Sequence, residues 1–347
     1  MQFFSILLAA LSLAFFARPA SAAFINGQNY VALADWAHAN GFYGFTRDRG
    51  QEIVLTNRSS RLIFDVNSAQ AQINGVNVRL SFPIANSRNV PAISSLDIET
   101  AVRPLVYAPK PVAKRITTIC LDPGHGGRDT GNRVGGAFFG HNEKTYTLAL
   151  AQELGSQLKK LGFNVVLTRH DDTYVELPMR PEIANRYAAD LFVSLHFNAA
   201  QTDKDEVSGP ETYCITPVGA ASSNAQGEGA DHGPTANNRV EQRSLLLAAQ
   251  IQKSLVRNLG VTDRGVRRAR FAVLRDATMP AILIEGGYMT HPSEGKRIFD
   301  SGYRRQMAAA IAKGILSYQK LTAPSTPSPR KSPVHTGSAY FSETETI

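Results

Sequence analysis

Between Ile116 and Leu321 the chain alternates two rhythms of apolar residues. Short, nearly continuous apolar runs occur at "TTICLD", "NVVLTR", "DLFVSLHF", "ETYCIT", "FAVL" and "AILIEGG". Between them apolar residues return every three to four positions, in "EKTYTLALAQELGSQLKKLG", "RPEIANRYAAD", "VEQRSLLLAAQIQKSLVRNLG" and "YRRQMAAAIAKGILSYQKL". The first kind reads as buried strands and the second as amphipathic helices. Their alternation predicts an α/β fold, a three-layer sandwich with the sheet between helices. In such folds functional groups gather where strand ends meet loops.

The pattern upstream differs. From Phe24 to Tyr107 short strands and turns surround one helical stretch, "VALADWAHANG", which stops at Gly41. "EIVLTN", "RLIFDV" and "AQINGVNVRLS" read as strands, with Asn74 and Gly75 as a hairpin turn. We expect a small α+β module over 24–107 and a Pro- and Lys-containing linker over 108–115. The larger α/β domain follows over 116–320, and a disordered Ser/Thr/Pro-rich tail over 321–347. Residues 1–22 hold an apolar run too short for a comfortable span, followed by the small residues "ASA". That pattern is expected of a cleaved export signal, although no Lys or Arg precedes the run. Export places the chain in the periplasm or cell envelope, or in the medium.

Composition narrows the partners. With 43% hydrophobic and 19% charged residues the chain is globular, and a formal charge of +8 suits an anionic partner. No Lys/Arg tract is interleaved with aromatics, so nucleic acid is set aside and an anionic wall polymer or lipid remains. The two cysteines, Cys120 and Cys214, could pair in an oxidising compartment, but two buried free thiols is the simpler expectation. A monomer is assumed.

Candidate chemistry sits at the ends of elements. "ITTICLDPGHGGRDTG" empties a strand into a loop where Pro123 and three glycines surround one functional side chain, His125. Glu143 opens a helix, His196 ends the strand "LFVSLHF", and Glu285 ends "AILIE" before two glycines. Two histidines and two glutamates at one rim is the composition of a zinc hydrolase with a separate carboxylate base. Bland readings stand beside it. A strand-end histidine is more often hydrogen-bonded structure, Glu143 could serve the helix dipole, and Glu285 could be solvated. The gaps of 18, 53 and 89 residues do not choose between them.

Four separated motifs, "LDPGHGGRDTG", "NEKTYTLALAQEL", "VSLHFNAA" and "FAVLRDATMPAILIEGGYMTHPSEGKRI", resemble, in order, the zinc-dependent N-acetylmuramoyl-L-alanine amidases of the amidase type 3 family. The resemblance implies a mixed six-stranded sheet, one zinc ion held by His125, Glu143 and His196, and Glu285 as catalytic carboxylate. The implied substrate is the amide between N-acetylmuramic acid and L-alanine of peptidoglycan. Asp122 is expected to fix the loop or orient a ligand. His141 reads as rim, and His291 stands where related sequences usually carry Asn. The upstream module resembles copper-amine-oxidase-N-terminal-like modules through "INGQNYVALADWAHANGF" and "ISSLDIETAVRPLV". Its single histidine, His38, offers no copper site, so a binding or positioning role is expected.

Arg264, Arg267, Arg268, Arg270 and Arg275 crowd "TDRGVRRARFAVLRDA". A solvated basic face is one reading. Recognition of stem-peptide carboxylates is the other, with Arg270, Arg275 and Asn198 as substrate contacts. "PVGAASSNAQGEGADHGPTANNR" lacks helical periodicity, so a flexible loop, not an autoinhibitory helix, is expected there. A catalytically silent wall-binding or regulatory protein is the rival reading. A carboxypeptidase or deacetylase using the same chemistry is a third.

Overall fold

The computed structural model describes residues 22–47, 51–107, 111, 115–135, 140–223 and 233–323. The expected export signal (except Ala22), most of the expected linker, the centre of the expected flexible loop and the expected tail beyond 323 lie outside the described residues.

The upstream module begins with β1 (Ala22–Ile25), β2 (Gln28–Ala32) and α1 (Leu33–Ala39). Helix α1 buries Leu33, Trp36 and Ala37, and Gly41 just past its end adopts φ +72°. A meander follows: β3 (Tyr43–Arg47), β4 (Glu52–Thr56), β5 (Arg61–Asp65), β6 (Gln70–Ile73) and β7 (Val76–Arg79). The turn between β6 and β7 has positive φ at both Asn74 and Gly75, which matches the right-handed twist of a tight hairpin. Strands β8 (Ala85–Ser87) and β9 (Val90–Ser94) complete a second, four-stranded sheet in the order β1-β2-β9-β8. A helical segment closes the module. It comprises α2 (Ser95–Asp97), capped by the Ser94 side chain, a π-helical turn Ile98–Val102, and α3 (Arg103–Val106).

The α/β domain supplies β10 (Thr118–Pro123), a small hairpin β11 (Arg133–Val134) and β12 (His141–Asn142), α4 (Glu143–Lys160) and β13 (Asn164–Leu167). It continues with α5 (Met179–Arg186), β14 (Leu191–Asn198), β15 (Glu211–Cys214), α6 (Glu241–Leu259) and β16 (Val266–Arg268). It ends with α7 (Ala272–Arg275), β17 (Ala281–Tyr288), α8 (Pro292–Phe299) and α9 (Ser301–Thr322). Its six sheet strands run β13-β10-β14-β17-β15-β16 and are mixed, because β15 is antiparallel to β17. Alternation along β14 divides the core. Leu191, Val193, Leu195 and Phe197 join the cluster containing α4, α6 and α9 residues, while Phe192 joins the smaller cluster with Ala184 and Leu274 from α5 and α7.

Two expectations need correction. "FAVL" is not a strand: Leu274 N–H and Arg275 N–H both donate to Phe271 O, closing the turn of α7. Four apolar residues fit either period, and local hydrogen bonding decides. The sixth strand is instead "VRR", β16, too short and too charged to register as an apolar run. Nor does the sheet stop there. β16 pairs in parallel with β7, so the two parts of the chain share one eleven-stranded sheet. Cys120 on β10 and Cys214 on β15 are free and buried, with β14 and β17 between their strands. Among the described residues no helix is long and apolar enough to cross a membrane.

Asp263 fastens the junction. Its carboxylate accepts from Asn77 N–H (2.9 Å), Gly265 N–H (2.9 Å) and the amide of buried Gln252 (2.8 Å). Asp263→Ala is expected to lower unfolding stability by about 3 kcal/mol, since three hydrogen bonds to a carboxylate are lost and one N–H of the buried Gln252 amide, which keeps its bond to Pro210 O, loses its partner. Urea titration of the full chain measures it; an unchanged midpoint would refute the latch.

Candidate metal centre

The site starts from the loop after β10. His125 sits at φ +63°, a left-handed conformation that a non-glycine residue keeps only when its surroundings enforce it. Two buried arginines do so. Arg180 Nη1 donates to Asp122 Oδ1 (2.9 Å) and Pro123 O (3.0 Å), and its Nη2 to His125 O (3.0 Å). Arg169 donates from Nε to Pro123 O (2.9 Å) and from Nη2 to Gly124 O (2.8 Å). Asp122, fully buried, also accepts from Thr168 Oγ1 and Ser194 Oγ. Asp122 therefore holds the loop through Arg180. The carboxylate at Nδ1 of the His125 ring is that of Asp129, whose Oδ2 lies 2.8 Å away.

The other ring nitrogen of His125, Nε2, lies 3.1 Å from Glu143 Oε2, and His196 Nδ1 lies 3.0 Å from Glu143 Oε1. One ligand-type atom from each of the three residues falls within 4.8 Å of the others. Glu143 is 1% exposed, and its carboxylate also accepts from Asn132 N–H (2.8 Å) and Phe197 N–H (3.0 Å). Close approach explains the glycines. A Cβ at Gly124 would lie 2.3 Å from the His196 ring, and one at Gly131 would lie 2.6 Å from both Glu143 Oε2 and His125 Cδ2. Burial alone would raise the Glu143 pKa, but the hydrogen bonds and charges of His125 and His196 outweigh it and hold the group well below the carboxylate range. Burial alone would lower His125, yet Glu143 and Asp129 carry it above its ordinary value.

Glu285 is the register partner of His196 on one side and of Glu211 on the other. Its Oε2 is enclosed without a hydrogen-bond partner, and burial, then the charges of Glu143 and Glu211, push its pKa well up. Glu211 is anchored by Arg264 Nε (2.7 Å), Tyr288 Oη (2.9 Å) and Tyr213 Oη (2.7 Å), with Arg267 at 3.4 Å. Burial would raise Glu211, but Arg267 and these hydrogen bonds lower it. Two imidazoles and a carboxylate suit a borderline divalent cation such as zinc, and the orphaned Glu285 oxygen beside them fits a proton-exchanging role.

The remaining expected residues scatter. Asn198 ends β14 at the rim, where its Oδ1 accepts from Ala199 N–H. Arg270 braces a neighbouring loop by donating to Pro217 O and Ala220 O, and buried Arg268 donates to Ile215 O and Thr100 O. Arg275 is exposed on α7, six residues before β17 enters the sheet. His141 stacks on Phe299 at 3.7 Å and hydrogen-bonds Tyr146. His291 caps α8, its Nδ1 accepting from Ser293 and Glu294 N–H, which is the capping chemistry that Asn would supply. Sequence reading missed Asp129, Asn132, Arg169, Arg180 and Glu211. Asp129 lay within a motif quoted for its chemistry, four residues after His125, whereas Arg169, Arg180 and Glu211 lay in "NVVLTR", "RPEIANRYAAD" and "ETYCIT", stretches read only for their apolar period.

Residues 119–317 match the N-acetylmuramoyl-L-alanine amidase family of type 3. N-acetylmuramoyl-L-alanine amidase LytC of Bacillus subtilis (strain 168) is 31% identical over 270 residues, covering 78% of this chain and 46% of LytC. N-acetylmuramoyl-L-alanine amidase AmiC of Neisseria meningitidis serogroup B is 34% identical over 225 residues, covering 59% of this chain and 53% of AmiC. The chain thus spans about half the length of these relatives. Among solved structures, the N-acetylmuramoyl-L-alanine amidase from Clostridium difficile 630 aligns with TM-score 0.49 and 35% identity, covering 60% of this chain and 98% of that one.

The charge pattern sets a pH window for the metal-free chain. Glu143, lowered from 4.5, contributes stability that is complete above that value and lost as pH falls through its folded pKa. His125, raised from 6.5, contributes stability that is complete below that value and lost as pH rises through its folded pKa. This pair is therefore expected to stabilise the metal-free protein most between about pH 4.5 and 6.5. Urea midpoints from acid to alkaline pH check it. His125→Ala should flatten the alkaline limb, and a limb unchanged by that substitution would contradict the assignment.

Proposed function

The chain belongs to the amidase type 3 family of N-acetylmuramoyl-L-alanine amidases, and from that premise we propose that it is an exported zinc hydrolase of peptidoglycan. The bond cleaved is the amide joining the lactyl group of N-acetylmuramic acid to L-alanine of the stem peptide. One observation carries the reading: His125, Glu143 and His196 converge within 4.8 Å, and the unpartnered Oε2 belongs to Glu285, the residue in register with His196.

His125, Glu143 and His196 would hold one zinc ion, which when bound supplies a Lewis acid and lowers the pKa of water to about 7. Asp129 orients His125 from the far side of its ring, and Asn132 and the Phe197 amide orient Glu143. The opposed shifts divide the carboxylates. Glu143 stays anionic as a metal ligand, whereas Glu285, starting as the carboxylate, would take a proton from the attacking water at its unpaired Oε2 and deliver it to the departing amine of L-alanine, returning to the carboxylate. The upstream module would position the wall polymer, and the chain would work in the periplasm or cell envelope as a monomer. A catalytically silent wall-binding protein is disfavoured because it gives no role to the enclosed, unpaired Oε2 of Glu285.

Zinc-loaded protein added to purified peptidoglycan is expected to release peptides that begin with free L-alanine and to leave glycan with intact lactyl groups, read by mass spectrometry. Intact wall, or cleavage elsewhere in the stem, would reject the reading. Glu285→Ala should retain zinc by elemental analysis while turnover drops by about 10²–10⁴-fold, and His196→Ala should lose both. Full activity in Glu285→Ala would sink the base assignment.

A further inference from the structure

The row of residues containing His196, Glu285 and Glu211 does not end at the edge of the α/β domain. Thr212 pairs with Val266, which sets Glu211 beside Gly265. Val266 pairs with Val78, which sets Gly265 beside Asn77, and Asn77 pairs with Gln72, which pairs with Ile63. Residues in one register row project from the same face of a sheet. The face that carries Glu285 therefore continues across β7, β6 and β5, where it is open, and closes over buried Val54 on β4. Leu62, Phe64, Ala71, Ile73 and Val78 are buried on the other face, while Asp65 and Gln70 are exposed and Ile63, Gln72 and Asn77 half-buried. Where the two parts meet, Arg264 and Arg267 on one wall and Glu52, Asp65 and Gln72 on the other line a groove of about 430 Å³. Both arginines also contact Glu211, and Arg267 Nε is enclosed without a partner.

We propose that this groove takes the far end of the stem peptide whose first amide lies at Glu285, an inference that rests on the amidase reading above. The lengths agree. Strands lie about 4.8 Å apart, so Asn77 and Gln72, three and four strands from Glu285, are about 14 and 19 Å away. An extended peptide covers about 3.3–3.6 Å per residue, so its fourth and fifth residues reach the groove. The chemistry agrees as well. Arginines suit a peptide's terminal carboxylate, Glu52 and Asp65 suit a side-chain ammonium, and Gln70 and Gln72 offer both donors and acceptors to peptide groups. The module thus reads stem length and charge and is part of the substrate site.

Isothermal titration of the full chain carrying Glu285→Ala, with muramoyl-dipeptide and muramoyl-pentapeptide as probes, tests this. The pentapeptide is expected to bind at least about tenfold more tightly. Gln72→Trp, which fills the groove, and Asp65→Lys, which reverses a charge on its exposed rim, should each remove that advantage and leave dipeptide affinity unchanged. Equal affinities, or variants that weaken both probes alike, would overturn the groove. Failure of the unaltered zinc-loaded chain to cleave muramoyl-pentapeptide that binds with the expected advantage would instead reject the amidase reading and leave the groove standing.

Discussion

The structure depends on how the carbonyls of the 123–125 loop are satisfied. Three successive carbonyl oxygens point into protein, and water cannot serve them there. Arg169 and Arg180 do, through charge-assisted hydrogen bonds, and both guanidinium groups are buried to within 3%. Burying two cations against the single buried carboxylate of Asp122 would be costly without these oxygens. Each half therefore stabilises the other: the loop needs the arginines, and the arginines need the loop. The left-handed backbone at His125 is a consequence, and it aims the ring at Glu143.

From that point the site is organised by contrast between carboxylates. Glu143 is surrounded by donors, two imidazoles and two backbone amides, so its anion is stabilised despite burial. Glu285 receives no donor and faces two other acids, so its carboxylate binds a proton more tightly than an ordinary one, as a base must. Glu211, the second of those acids, stays charged because two arginines and two tyrosines hold it. Three glutamates within a few strands thus differ through their partners alone.

The shared sheet gives the upstream module a fixed relation to that site. A parallel pairing of β16 with β7, the Asp263 carboxylate and the Arg268 contact to Thr100 O leave little freedom for independent rotation. The pairing covers what would be exposed edges on both parts, and an open edge is a liability for aggregation. Fixing the module there extends the sheet bearing Glu285 by five strands.

The sequence by itself determined most of the elements and the candidate ligands. Long periodic stretches such as α4, α6 and α9 were legible because a 3.6-residue period survives any tertiary context. The hairpin at Asn74 and Gly75 was legible because only such residues take two successive positive φ angles easily. His125, Glu143, His196 and Glu285 stood out as polar groups at the ends of apolar elements. What the sequence could not express were partnerships across distance. Arg169 and Arg180 read as ordinary basic residues until the fold brings them beneath the loop, and "VRR" reads as surface until β15 and β7 flank it. Glu211 acquires its place beside Glu285 only through antiparallel pairing of β15 with β17. Local pattern records the period of an element. Register and burial, which decide what each charge meets, exist only once the sheet has formed.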